Sequence, residues 1–254
     1  MEIIDTHAHL YESIFDEDID ELFNKFQQVG IKKVLLPCTN IFDVDRMIHI
    51  KNRYPDVCDI MLGVHPEEIE VDYFAQLCNL EKIIKEHPFV GVGEIGLDYK
   101  CSNVAHDIQK YFFEYELNLS QQMSLPVSIH CREAFEDMYN ILKHYKKSIS
   151  GVIHCFIGTV EQAQKYIGLG FYLGIGGVVT FKNSILKHVL KHVSIENIVL
   201  ETDSPFLTPV PYRGQRNDPT KLINVIQALS EVYNISPSDV AQITTNNAVK
   251  IFRL

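Results

Sequence analysis

The chain opens on a pair of residues suited to holding a metal. Ile3-Ile4 lead into Asp5-Thr6-His7-Ala8-His9-Leu10. Successive side chains of a strand point to opposite faces, so His7 and His9 look the same way. Two imidazoles side by side at a strand's end make half of a divalent-metal site. Taken alone, His-x-His is an ordinary packed or surface pair. Further residues of the same kind arrive later, each closing its own apolar run. His65 stands in Gly63-Val64-His65-Pro66, Glu94 and Asp98 in Gly93-Glu94-Ile95-Gly96-Leu97-Asp98, and His130 in Ser128-Ile129-His130-Cys131-Arg132. His154 ends another run, and Asp203 another in Glu201-Thr202-Asp203-Ser204-Pro205.

Any one of these histidines could be a satisfied core residue, and either acid a helix cap. Six of them gathered at strand ends would be costly to bury without a cation. Four imidazoles (His7, His9, His130, His154) and two carboxylates (Glu94, Asp203) are too many ligands for one ordinary zinc and suit two divalent ions. Glu94 is the natural bridge, because a carboxylate can give one oxygen to each ion. Paired ions activate a water and stabilise in-line displacement at phosphorus. Asp203 could bind one ion and also take a proton from the attacking water. No cysteine joins the set, which points to Mg²⁺, Mn²⁺ or Zn²⁺.

Three further residues could hold a substrate phosphate. His65 precedes Pro66; its plain alternative is a loop histidine. Arg132 follows His130 and is a plausible clamp, unless it pairs with Glu133 or Glu136. Arg213 lies in Arg213-Gly214-Gln215-Arg216-Asn217 after the last strand, where a solvated loop is the alternative. Cys131 and Cys155 each follow a ligand, so alternation turns them into the layer between strands and helices.

These residues must be positioned by a regular alternation of short apolar runs and amphipathic segments. Strands are expected at Glu2–His9, Lys33–Thr39, Asp59–His65, Phe89–Asp98, Pro126–Cys131, Gly151–Phe156, Phe171–Val179 and Asn197–Asp203. Helices are expected at Asp16–Val29, Phe42–Tyr54, Asp72–His87, His106–Met123, Ala134–Tyr145, Val160–Gly168 and Ser184–His192, with Thr220–Tyr233 and Ser238–Phe252 closing the chain. Ile19, Leu22, Phe23, Phe26 and Val29 carry the helical period in the first helix, and Gly30 stops it. Short apolar strands separated by helices imply parallel pairing with right-handed crossovers. A doubly wound sheet would alternate in the same way, but eight evenly spaced strands favour a closed (β/α)₈ TIM barrel spanning residues 1–254 as one α/β domain.

The chain has 254 residues, 46% of them hydrophobic, and a net charge of −10. That charge argues against coating nucleic acid through a broad basic face, though not against gripping a strand end through a few arginines and a metal. Six cysteines without C-x-x-C spacing read as reduced thiols of a cytoplasmic protein. Met1-Glu2 runs directly into the first strand, so no signal peptide is expected. Leu169–Phe181, the longest apolar stretch, is glycine-rich and too short to span a bilayer.

The motifs resemble those of the TatD family of metal-dependent deoxyribonucleases, within the amidohydrolase-like hydrolases. The resemblance rests on Asp5-Thr6-His7-Ala8-His9, Gly63-Val64-His65-Pro66, Gly93-Glu94-Ile95-Gly96-Leu97-Asp98-Tyr99, Ile129-His130-Cys131-Arg132, His154-Cys155-Phe156, Glu201-Thr202-Asp203-Ser204-Pro205-Phe206-Leu207 and Asn247-Ala248-Val249-Lys250-Ile251-Phe252. They run in order along essentially the whole chain. The resemblance implies a barrel hydrolase with two metals on His7, His9, Glu94, His130, His154 and Asp203, acting on a DNA single strand or strand end, with no membrane and no obligate protein partner. The family's usual stretch after the fourth strand is present, with Lys100-Cys101-Ser102-Asn103 reading irregularly within it. An amidohydrolase acting on a C–N bond would be favoured by a strand lysine available as a carboxylated bridge, and Glu94 holds that place here. A non-catalytic metal-stabilised binding protein would be favoured by missing ligands, and none is missing.

Overall fold

The computed structural model describes residues 1–254. Eight parallel strands pair in sequence order, β1 Ile3–Asp5, β2 Ile31–Pro37, β3 Cys58–Leu62, β4 Gly91–Asp98, β5 Val127–Arg132, β6 Gly151–Ile153, β7 Phe171–Ile175 and β8 Ile198–Leu200. Their alternating partners are α1 Ile19–Val29, α2 Val44–Arg53, α3 Tyr73–Glu86, α4 His106–Met123, α5 Phe135–Leu142, α6 Val160–Leu169 and α7 Leu186–Leu190, followed by α8 Leu222–Tyr233 and α9 Pro237–Phe252.

The last strand returns to the first. Thr6 N–H donates to Leu200 O (2.9 Å), Asp203 N–H to His7 O (2.9 Å) and His9 N–H to Ser204 O (2.7 Å), with Ala8 bridged to Ser204. The sheet thereby closes into the (β/α)₈ barrel. Several expected strands are shorter than their apolar runs. The β1 ladder stops at Asp5, β6 at Ile153 and β8 at Leu200, so His7, His9, His154 and Asp203 sit just beyond the ladder. Residues 177–180, expected as the end of a strand, form a 3₁₀ turn instead. Gly30 does end α1, in the left-handed region at φ 88°, where a residue lacking Cβ costs least.

Helix α9 covers the barrel's opposite end. Its Ala248, Ile251 and Phe252 pack on Ile4, Leu35, Met61, Val152 and Val199 from five strands. Asn247 donates to Ile195 O and Ile198 O, and Thr245 to Glu2 O, fixing the helix against the strand beginnings. The C-terminal end of the barrel is left for the loops, where barrels of this type carry chemistry.

Helix α4 reaches that end with two buried polar side chains on one face. Gln109 accepts from Asp98 N–H (2.9 Å) and donates to Asp98 O (3.0 Å). Glu116 accepts from Val64 N–H (2.8 Å), beside His65. Burial pushes the Glu116 carboxyl well above its usual range, with the bond from Val64 opposing. A raised folded-state pKa stabilises at acid pH and is lost as pH climbs past the unfolded value. Glu116→Gln is therefore expected to match the wild type in urea midpoint near pH 5 and exceed it near pH 8. Equal midpoints at both pH values would show the carboxyl to be indifferent to its charge.

Candidate metal centre

The side chains expected to hold metal converge at the C-terminal mouth. Glu94 is central, and its two oxygens face different rings. Oε2 lies 3.1 Å from His7 Nε2 and 3.7 Å from His9 Nε2. Oε1 lies 3.1 Å from His130 Nδ1 and 3.6 Å from both His154 Nε2 and His65 Nε2. Asp203 Oδ1 completes one side at 3.3 Å from His9 Nε2 and 4.0 Å from His7 Nε2. Glu94 is not at a strand end, as the sequence implied, but inside β4, where the β4–β5 register shifts between Val92 and Ile95. Irregularities of this kind re-aim a side chain next to functional sites.

Each ligand-type ring is oriented from behind. His7 Nδ1 meets Ser128 Oγ at 3.1 Å. Tyr11 O–H donates to Pro37 O, so its oxygen is left to accept from His9 Nδ1–H at 3.0 Å. His130 Nε2 meets Asp98 Oδ2 at 3.0 Å, turning Nδ1 towards Glu94. His154 Nδ1 lies 3.1 Å from Glu201 Oε1, close enough for a charge pair but off the hydrogen-bond axis; neither Nδ1 nor Glu201 Oε2 has an aligned partner. The network thus directs four inner nitrogens, His7 Nε2, His9 Nε2, His130 Nδ1 and His154 Nε2, at two carboxylates. Outer partners that fix the tautomer in this way are typical of metal-ligating histidines.

Two glycines make room for this shell. A Cβ on Gly174 would lie 2.1 Å from Glu201 Oε2. One on Gly96 would meet His130 O at 2.0 Å, at φ 146°. Asp5 ties the two flanking segments together, accepting from His7 N–H (3.1 Å), Thr202 N–H (3.0 Å) and Thr202 O–H (2.6 Å).

The electrostatics demand positive charge. Burial alone would raise Glu94, yet His7, His154 and the bond from His130 hold it well below the carboxylate range. Burial alone would lower His154, yet Glu201 and Glu94 push it up to about 10. At His65 burial outweighs the support of Glu94 and takes it down to about 4; its Nδ1 accepts from Glu67 N–H (3.2 Å), leaving Nε2–H to donate. Four overlapping groups have donor atoms close enough for a shared ion: His7, His9 and Glu94; His7, His154 and Asp203; His65, Glu94 and His130; and His154, Cys155 and Glu201, with Glu67, Asp98 and Cys101 forming a separate group. The donors of the first three groups are nitrogen and oxygen, so those sets fit borderline or hard divalent cations.

The centre floors a cavity of about 620 Å³ that His65 and Arg132 also line. Glu133 pairs with Lys100, not with Arg132, whose exposed guanidinium stays at the rim. Arg213 lies outside that lining; it donates to Thr208 O and sits 4.0 Å over the Phe181 ring. Cys131 packs as expected in the strand–helix layer, where Tyr166 O–H donates to its Sγ (3.4 Å), and also borders the cavity; Cys155 instead lies beside His154 and Glu201 and lines the cavity, part-exposed. At Cys155 the backbone turns left-handed at φ 46°, which breaks the alternation that reading assumed. The orienting residues Ser128, Tyr11 and Glu201 were not singled out from sequence, since each is polar in an ordinary place.

A model of the family described as TatD related DNase matches residues 4–253. The chain belongs to the TatD family. It is 33% identical over 254 residues to an uncharacterized metal-dependent hydrolase, YabD, of Bacillus subtilis, covering 99% of both chains. It is 29% identical to a 3′-5′ ssDNA/RNA exonuclease TatD of Edwardsiella piscicida, covering 99% of this chain and 100% of the relative. The crystal structure of YjjV, a TatD homolog from Escherichia coli, superposes with a TM-score of 0.93 at 28% identity, covering 99% and 98% of the two chains. The protein is a metal-dependent hydrolase of this family, and no helix is long and apolar enough to cross a membrane.

Proposed function

We propose that the protein is a cytoplasmic phosphodiesterase that removes nucleotides from the end of a DNA strand, using two divalent cations. The observation that carries this is the split of Glu94, whose Oε2 faces His7 and His9 while Oε1 faces His65, His130 and His154. A carboxylate divided between two sets of rings is built to bridge two ions. The relative named as an exonuclease supports the choice of nucleic acid as substrate.

His7, His9, Glu94, His130, His154 and Asp203 would hold the cations. When bound, the cations would supply charge neutralisation to the phosphoryl group and make water more acidic. Asp203 takes the proton of the attacking water. Its side chain is 15% exposed against 5% for Glu94, so it is the carboxylate that faces the open cavity. Water adds its oxygen to phosphorus, the ester bond on the opposite side breaks, the departing oxygen takes a proton from solvent as Asp203 returns its own to solvent, and a phosphomonoester and an alcohol are left. His65 donates Nε2–H to a non-bridging phosphoryl oxygen, and Arg132 holds the next phosphate.

The test is chelator-treated protein offered Mg²⁺, Mn²⁺ or Zn²⁺ against end-labelled single-stranded DNA, RNA and a generic phosphodiester. Stepwise release of mononucleotides from DNA under at least one metal is expected. Cleavage of none, or of the generic diester alone, would remove the nuclease reading.

Arg132 supplies a separate expectation. Arg132→Ala should act mainly through KM, by roughly 1.5–3 kcal/mol for a charge-assisted contact. Neutralising one single-strand phosphate should give log affinity against log salt a slope of about −0.7, which the variant flattens. Unchanged kinetics and an unchanged slope would leave Arg132 a solvated rim residue.

A further inference from the structure

The walls of the cavity are unlike those of a protein that tracks a nucleic-acid backbone. Arg132 is the one lysine or arginine among the lining side chains, whereas Glu12, Glu67 and Glu68 add carboxylates around the mouth. Beyond the one phosphate that Arg132 can hold, a further phosphate would meet repulsion there. What the cavity offers beyond its metal-type residues is apolar surface. Phe206, Ile157, Val178 and Leu207 line it, and Phe206 and Ile157 are 54% and 57% exposed.

Phe206 is held in that position by its loop. Its N–H donates to Asp203 O (2.8 Å). Its carbonyl accepts from Asn217 Nδ2 (2.7 Å), and the same buried amide donates to Thr202 O (2.8 Å). Asp203 at φ 56° and Leu207 at φ 51° flank it, both left-handed without being glycine. Such conformations cost energy and persist where the surroundings fix them, often at ligand-binding positions. The ring meets His9 at a centroid distance of 6.2 Å and 61°, an edge-to-face contact. An exposed aromatic on a fixed loop loses little freedom on binding.

We propose that the cavity accepts one unpaired terminal nucleotide, whose base stacks on Phe206 while its phosphate lies at the metal-type residues and the next phosphate reaches Arg132. The proposal rests on the nuclease reading above and adds the unit recognised. Stacking on an aromatic tolerates any base, because every base has a π-face. A paired end would have to fray first, since the base cannot stack on its duplex neighbour and on Phe206 together. The preferred substrate is thus a single-stranded or frayed end of mixed sequence.

The test compares two single-stranded oligonucleotides that differ only at the terminal residue of the end that is degraded, one bearing a base and one with an abasic tetrahydrofuran residue. Wild-type protein should favour the base-bearing end by about 5–150-fold in kcat/KM, the range for one stacked base. Phe206→Ala should bring that ratio close to one, and Phe206→Tyr should keep it. Binding gives a second readout. An oligonucleotide ending in 2-aminopurine should be quenched by the wild type and Phe206→Tyr, but not by Phe206→Ala. A wild-type ratio near one, or a ratio that survives Phe206→Ala, would overturn the proposal while leaving the nuclease reading intact. Failure to cut either oligonucleotide under any metal would overturn the nuclease reading, and absence of quenching by the wild type would overturn the stacking proposal as well. The wild-type comparison needs no variant to fold.

Discussion

Glu94→Ala is expected to lose its cations and its activity together while the barrel stays folded. Glu94 is the one residue within 4 Å of all five histidines of the centre, His7, His9, His65, His130 and His154. Removing it deletes a ligand from each proposed ion and the negative charge that draws both in. Loss of an outer partner of a metal ligand typically costs about 10–100-fold in affinity or activity, and loss of the shared ligand should exceed that. The fold should survive, because β4 is held by its pairing with β3 and β5 and by the packing of α4, none of which uses the Glu94 side chain. Elemental analysis and circular dichroism on the same preparation check both halves. A folded variant that kept two ions per chain would refute the bridging role.

Asp203→Asn is expected to separate holding a cation from moving a proton. The substitution keeps the shape and one oxygen able to coordinate, but loses the charge and the proton acceptor. Its lost affinity can be overcome by mass action. If Asp203 only held metal, excess Mn²⁺ or Mg²⁺ would restore the rate. As the acceptor for the attacking water, its loss should leave a deficit of about 10²–10⁴-fold at saturating metal, the range of a missing general base. Its position fits the second outcome. It caps the side of the centre next to His9, on a left-handed residue that aims the carboxylate at the cavity. Near wild-type turnover at high metal would make Asp203 a ligand and nothing more.

Both experiments concern residues that the sequence makes visible, and the reason is geometric. A parallel barrel delivers strand ends to one rim, so ionisable residues closing apolar runs must meet there. The alternation of runs and helices is equally legible, down to Gly30. Strand limits are less so, because the β8–β1 closure is made by Thr6, His7, His9 and Ser204 beyond the ladders, and hydrogen bonds of this sort leave no hydrophobic period. The orienting shell is least legible. Ser128 and His7 are 121 positions apart, and Asp5 and Thr202 are 197 apart. Nothing local marks Ser128 as different from any serine in a strand. Alternation also misplaced Cys155, since it assumes a regular strand where the chain turns left-handed, whereas Cys131, inside β5, meets Tyr166 of the helix layer as alternation requires. Arg213 shows the converse problem. A basic loop after the last strand is a fair place for an anion clamp, but the guanidinium is engaged by Thr208 O and Phe181 away from the cavity.

Titration of Mn²⁺ into chelator-stripped protein, with mononucleotide release from a single-stranded DNA end measured at each addition, joins the metal count to the chemistry. Hydrolysis should stay near the metal-free level through the first equivalent, rise with the second, and level off at two bound ions per chain. Full hydrolysis with one ion bound, or with none, would contradict a centre in which Glu94 bridges two cations at the reacting phosphate.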